Sequence, residues 1–104
     1  MAAQDKLEQL QAQLGYVFTD VTRLKLALTH RSAGSKNNER LEFLGDAVLN
    51  CVVSMMLYRE FAAADEGDLS RFRASLVSGE SLATIAAELG VGDRMRLGSG
   101  ELKS

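Results

Sequence analysis

The sequence has no proline, one cysteine, one histidine and no surplus of basic residues, and each shortage closes off a class of protein. Without proline, turns and helix ends must be made by glycine and by polar capping side chains. With Cys51 alone, no internal disulfide can form, so a reducing compartment and a cytoplasmic protein are expected. Cys51 itself, between Asn50 and Val52, reads as a small buried hydrophobe. Zinc held by nitrogen and sulfur is disfavoured, because His30 and Cys51 cannot complete a tetrahedron. Twelve Lys and Arg against fourteen Asp and Glu leave a formal charge of −2, so the whole chain exerts no general pull on nucleic acid. Any such partner must be drawn by local basic residues, by bound cations, or by a module elsewhere. The N-terminal stretch carries Asp5 and Glu8 and lacks a long apolar core, so it reads as neither a signal peptide nor a membrane span, and no membrane partner is expected.

What is present is globular composition, 46% apolar and 25% charged over 104 residues, enough for one domain. Leu7, Leu10 and Leu14 recur at helical spacing before Gly15, which predicts a short amphipathic helix with a glycine stop. Asp20 or Thr19 can cap a second helix that buries Val21, Leu24, Ala27 and Leu28 and ends near His30. A polar loop from Arg31 to Asn37 follows, and Asn38 caps a long third helix running to about Phe61. Apolar residues cover most of that helix's circumference, so it is expected to be central and buried. Asp68 or Ser70 starts a fourth helix with Arg71 and Arg73 on its exposed side. Ser78 caps a fifth, stopped by Gly90, and an irregular glycine-containing tail runs to Ser104. No segment sustains a period of two, so the fold class is all-α.

Along the third helix Glu39, Glu42, Asp46 and Asn50 stand 3, 4 and 4 residues apart and therefore share one side. Glu42 and Asp46 lie about one turn apart, roughly 6 Å along the axis, so their oxygens can converge on one hard cation. Oxygen ligands favour Mg²⁺ or Mn²⁺, and Mg²⁺ retains waters and recruits phosphate oxygens, which suits phosphodiester chemistry. Spacing alone favours a solvated acidic face near a helix N-terminus over a metal site, since charged helix faces are common. Gly45, in mid-helix, points to close approach by another element or a ligand.

The run NERLEFLGDAVL, residues 38–49, resembles the signature of the ribonuclease III family. Its flanks follow in the family's order: Leu14 to Phe18, Leu26 to Ser32, Glu66 to Arg71, then Leu97-Gly98 with Gly100-Glu101. The resemblance covers essentially the whole chain. It implies an all-α endonuclease domain that dimerises and uses Mg²⁺, with Mn²⁺ as a substitute, to hydrolyse double-stranded RNA to 5′-phosphate and 3′-hydroxyl ends, as in the processing of ribosomal and other structured RNA precursors. By residue match Glu42 is a metal ligand, and Asp46 binds the metal or its water and helps position the nucleophile. Glu39 and Glu66 line the cleft, His30, Arg31, Lys36 and Asn38 contact RNA, and Phe43 projects into the partner subunit. For Phe43 an ordinary core position also fits, for Glu66 a loop cap, and for His30 and Arg31 capping of the second helix's C-terminus. The family also uses an Asp and a Glu from a later helix, and a double-stranded RNA-binding domain, neither of which lies within residues 1–104. The expectation is an incomplete, truncated catalytic domain that does not turn over alone. A competing motif, Leu82 to Val91, resembles the first helix and turn of a helix-turn-helix, but Gly92, Gly98 and Gly100 disfavour a following recognition helix.

Overall fold

A computed structural model describes residues 3–99. Among these, five α-helices form: α1 (Ala3–Leu14), α2 (Val21–Ala27), α3 (Glu39–Glu60), α4 (Glu66–Leu76) and α5 (Gly79–Leu89). Two 3₁₀ turns, Arg31–Ala33 and Gly92–Arg94, and one isolated parallel bridge between Thr29 and Arg96 complete the regular structure. The chain divides into two compact units, one made of Met1–Glu42 with Ala86–Ser104, the other of Phe43–Ile85.

In the first unit Leu7, Leu10, Leu24 and Leu28 form a core, with Phe18, Val21, Leu89, Val91 and Met95 packed against it. Leu10 is only 2% exposed. The glycine stops work as expected. At Gly15 (φ 71°) the amides of Gly15 and Tyr16 donate to the carbonyls of Ala12 and Gln11, and at Gly90 (φ 67°) those of Gly90 and Val91 donate to Ala87 and Ala86. Both are Schellman closures, which need a residue in left-handed conformation. Buried Gln11 satisfies both ends of its amide: Nε2 donates to Leu7 O and Oε1 accepts from the Phe18 amide at 2.7 Å. Arg94 is a clamp. Its guanidinium donates to the carbonyls of Lys6, Leu89 and Gly90 and to Gln9 Oε1.

Asp20 caps α2 by accepting from the Thr22 amide and hydroxyl, and these two bonds, aided by Arg23, hold its carboxyl below the ordinary 3.8. A lowered folded-state pKa contributes stability above the unfolded value and loses it as pH falls through the folded value. The stability difference between the parent and Asp20→Ala is therefore expected to be constant near neutrality and to shrink as pH drops below about 4. Urea denaturation across that range measures it; a difference that grows on acidification excludes the cap as its source.

Helix α2 stops at Ala27, earlier than expected, because Thr29 leaves the helical path. Its hydroxyl closes on Lys25 O, and its neighbours enter the bridge, with Arg96 N donating to Leu28 O and His30 N to Arg96 O. The tail through Gly98 is thus irregular yet tied down. A 3₁₀ turn, not a second helix, follows α5, which removes the helix-turn-helix reading.

In the second unit Asp65, not Asp68 or Ser70, caps α4 by accepting from the Asp68 amide at 2.8 Å. Arg73 is not on an exposed side: it donates to Ser54 Oγ at 2.9 Å, and Phe61 and Phe72 rings meet at 5.3 Å. Ser78 caps α5 as expected, accepting from the Ser81 amide. The expected burial of α3 is not met. Leu57 is its one buried residue, 6% exposed, whereas Phe43 is 83% exposed and Leu44, Val48, Val52, Met55, Met56 and Tyr58 are also open. Cys51 is likewise exposed. The physical reason is geometric: α4 and α5 have 11 residues each against 22 in α3 and cannot cover an apolar surface that runs round most of a longer helix. By length and composition alone α3 would also suffice to cross a membrane, a property it shares with core helices of soluble proteins. A Cβ built at Gly45 meets nothing within 4 Å, so no close approach among the described residues explains that glycine.

Candidate active site

The start of α3 is fixed from two sides. The Asn38 carbonyl accepts the Glu42 amide at 2.8 Å, while the side-chain cap comes from Asn37, whose Oδ1 accepts from the Glu39 amide. Asn38 instead ties this helix start to the end of α2: its Nδ2 donates to Ala27 O and its amide to Thr29 O. These bonds set the first turn of α3 beside the turn that begins at His30.

There, His30, Arg31, Asn38, Glu39 and Glu42 line a cleft of about 220 Å³. Five residues expected at the site are therefore brought together. His30 does not cap α2; it caps the 3₁₀ turn Arg31–Ala33, with Nδ1 accepting from the Ser32 amide at 3.1 Å and 2.7 Å from Ser32 Oγ. A neutral ring whose Nδ1 accepts carries its proton on Nε2, which leaves Nε2–H as a donor. Ser32 Oγ also accepts from the Gly98 amide at 2.8 Å. Among the described residues, Arg31, Glu39, Glu42 and Asp46 have side chains with neither a hydrogen-bond nor an ion-pair partner.

Asp46 follows Glu42 by four residues on α3. Asn50 lies on the same side, and its Nδ2 is committed to Asp46 O at 2.9 Å. Lys36 is exposed and does not line the cleft. Glu66 sits in the first turn of α4, where Oε1 accepts from Ser70 Oγ. Uncommitted carboxylates one turn apart fit a hard divalent ion, yet no group of three or more His, Cys, Asp or Glu among the described residues could hold a metal. Ser32 and Gly98 are the positioning residues that sequence reading missed; a serine two places after His30 in a polar loop was the available signal.

The sequence profile of ribonuclease-III-like domains matches residues 20–104. The chain belongs to the ribonuclease III family. Ribonuclease 3 of Actinobacillus pleuropneumoniae serotype 3 (strain JL03) is 57% identical over 99 residues, covering 95% of this chain and 44% of that protein. Ribonuclease 3 of Marinomonas sp. (strain MWYL1) is 57% identical over 97 residues, 93% of this chain and 43% of its own length. The ribonuclease III chain thus spans less than half the length of these relatives. The nuclease domain of Campylobacter jejuni ribonuclease III, in a structure addressing flexibility in a region involved in dimer formation, superposes with a TM-score of 0.90 at 49% identity, covering 93% of this chain and 68% of that one. The fold of this ribonuclease III chain is accordingly that of an all-α nuclease domain.

Proposed function

We propose that the intact protein is a Mg²⁺-dependent endonuclease of double-stranded RNA that leaves 5′-phosphate and 3′-hydroxyl ends and processes ribosomal and other structured RNA precursors in the cytoplasm. The observation that carries this reading is the cleft itself: in a ribonuclease III family chain, the uncommitted carboxylates of Glu39 and Glu42 stand with Arg31 and His30, and Asp46 follows one turn on. Glu42 and Asp46 are the residues that would hold Mg²⁺, or Mn²⁺ in its place. Bound there, the ion would supply Lewis-acid activation of water and offset charge on the phosphate.

The chain's own groups do the positioning. Arg31 offers a guanidinium to a phosphate oxygen, and His30 Nε2–H offers a donor to phosphate or a 2′-hydroxyl. Glu39 keeps the cleft acidic, so that RNA approach depends on cations, in keeping with a net charge of −2. Lys36 is assigned a lesser role toward backbone phosphate, and Glu66 a lesser role as an acidic group of the site. The protein acts as a homodimer; the open apolar surface of α3 and the 83% exposure of Phe43 support a partner seated there.

The deciding experiment uses a radiolabelled RNA duplex with the intact protein. Specific cleavage with Mg²⁺, abolished by EDTA and restored by excess Mg²⁺ or Mn²⁺, is the expected result. The 104-residue chain alone is expected not to cleave. Metal-independent cleavage, or 5′-hydroxyl products, overturns the reading.

A further inference from the structure

A second recess in the first unit, about 460 Å³, is lined by Lys6, Leu7, Lys25, Leu28, Asp93, Arg94, Met95 and Arg96. It shares no residue with the cleft at His30 and Glu42. Four cations face one carboxylate there, in a chain whose formal charge is −2, so the local field is opposite in sign to the whole. Arg94 is occupied by four acceptors and acts as the wall. Lys6, Lys25 and Arg96 differ: all three are exposed, and among the described residues none has a side-chain hydrogen bond or ion pair. The floor is apolar, made by the buried Leu7 and Leu28 and the half-buried thioether of Met95.

Three uncommitted cations around an apolar floor have a specific complement. An anion alone would leave the floor wet, and an apolar ligand alone would leave the cations unused. A phosphate joined to a flat ring satisfies both, since the ring lies on aliphatic carbon and sulfur while phosphate oxygens reach Lys and Arg. The volume falls in the range of small-ligand sites.

We propose that this recess binds a nucleotide unit, its phosphate held by Lys6, Lys25 and Arg96 and its base seated on Leu7, Leu28 and Met95. The unit is a free mononucleotide or one residue of an RNA strand lying outside the cleavage cleft. Arg96 reaches the recess through a backbone position already fixed by the Leu28 and His30 bonds, so its side chain can be exchanged without breaking them.

The test is an NMR titration of the intact protein in EDTA, so that failure here leaves the metal-dependent cleavage reading untouched. The probes are adenosine 5′-monophosphate, a single-stranded RNA dodecamer and an oligoglutamate peptide. The backbone amides of Leu7, Leu28, Met95 and Arg96 are expected to shift with the mononucleotide, with the RNA, or with both, and the pattern tells the two sources apart. Lys25→Gln/Arg96→Gln is expected to weaken binding at least about tenfold and, on the RNA, to lower the salt-dependence slope by about 2. Lys6→Gln supplies an independent variant, expected to lower the slope by about 1. No shift at these amides with either nucleotide probe at millimolar concentration overturns the proposal. So does undiminished affinity in the variants, or oligoglutamate binding as tight as that of the nucleotide.

Discussion

Asp46→Asn in the intact protein is expected to lower turnover on duplex RNA by at least about 100-fold while RNA affinity changes little. Residues that merely orient a metal ligand cost roughly 10–100-fold when lost, so a residue that holds the metal or its water, the role proposed for Asp46, should cost no less. Asn keeps the size of Asp and loses the charge that a hard cation requires. The structure makes the substitution clean. The Asp46 carboxylate has no hydrogen-bond or ion-pair partner among the described residues, and the bond that Asn50 makes is to the Asp46 backbone carbonyl, which Asn retains. Stability should therefore stay within about 0.5 kcal/mol, as for a surface exchange. Single-turnover cleavage at saturating Mg²⁺, paired with binding measured in Ca²⁺, separates the two effects. Equal losses of turnover and binding would assign Asp46 a structural role instead.

Gly98→Ala carries the largest expected effect on stability. A Cβ at that position would stand 2.2 Å from Ser32 O and 2.9 Å from Ser32 C. These are backbone atoms in a turn already held by the Gly98 amide on Ser32 Oγ and by Ser32 on His30 Nδ1, so they cannot yield as a flexible side chain would. Overpacking of this kind costs about 1–3 kcal/mol. At about 4–8 °C per kcal/mol for a domain of this size, the Tm should fall by at least about 4 °C. The site should register the strain too, because the displaced turn carries His30 and Arg31. A loss of RNA affinity larger in Gly98→Ala than in Ser32→Ala would follow from steric displacement; a Tm unchanged in Gly98→Ala would mean the tail does not press on that turn.

What the sequence made legible was local. Leu7 and Leu10 before Gly15, Asp20 before Val21, and Ser78 before a run stopped by Gly90 each encode their outcome within one or two turns, and the structure follows them. The points that escaped depend on partners distant in the chain. Helix α2 stops early because Arg96 takes its place at Leu28 and His30, 66 to 68 residues away, and no pattern near Thr29 announces that. Helix α4 takes Asp65 as its cap, ahead of the expected Asp68 or Ser70, because only the folded turn brings the Asp68 amide onto the Asp65 carboxylate. The apolar circumference of α3 states a need for cover without saying which chain supplies it, and in this chain the cover is partial.

The candidate site divides along the same line. Helical periodicity alone placed Glu39, Glu42 and Asp46 on one side of α3, and the family signature gave Glu42 and Asp46 their expected roles. The cleft needed the fold, since Asn38 had to bond Ala27 before His30 and Arg31 could face α3. Asn50 shows the limit of periodicity: it sits on the right face, yet its amide is spent on the backbone.

The clamp made by Arg94 has a consequence for how the chain acquires its shape. One guanidinium joins carbonyls at Lys6, Leu89 and Gly90, and the unit it closes is interrupted by the 43 residues Phe43–Ile85. During synthesis the leucines of α1 and α2 emerge well before Leu89, Val91 and Met95, which complete their core. At roughly 5–20 residues per second, translating the intervening segment takes roughly 2–9 s. Throughout that interval the nascent N-terminal leucines are without their final packing, so closure of this unit waits on contacts that are far apart in the chain.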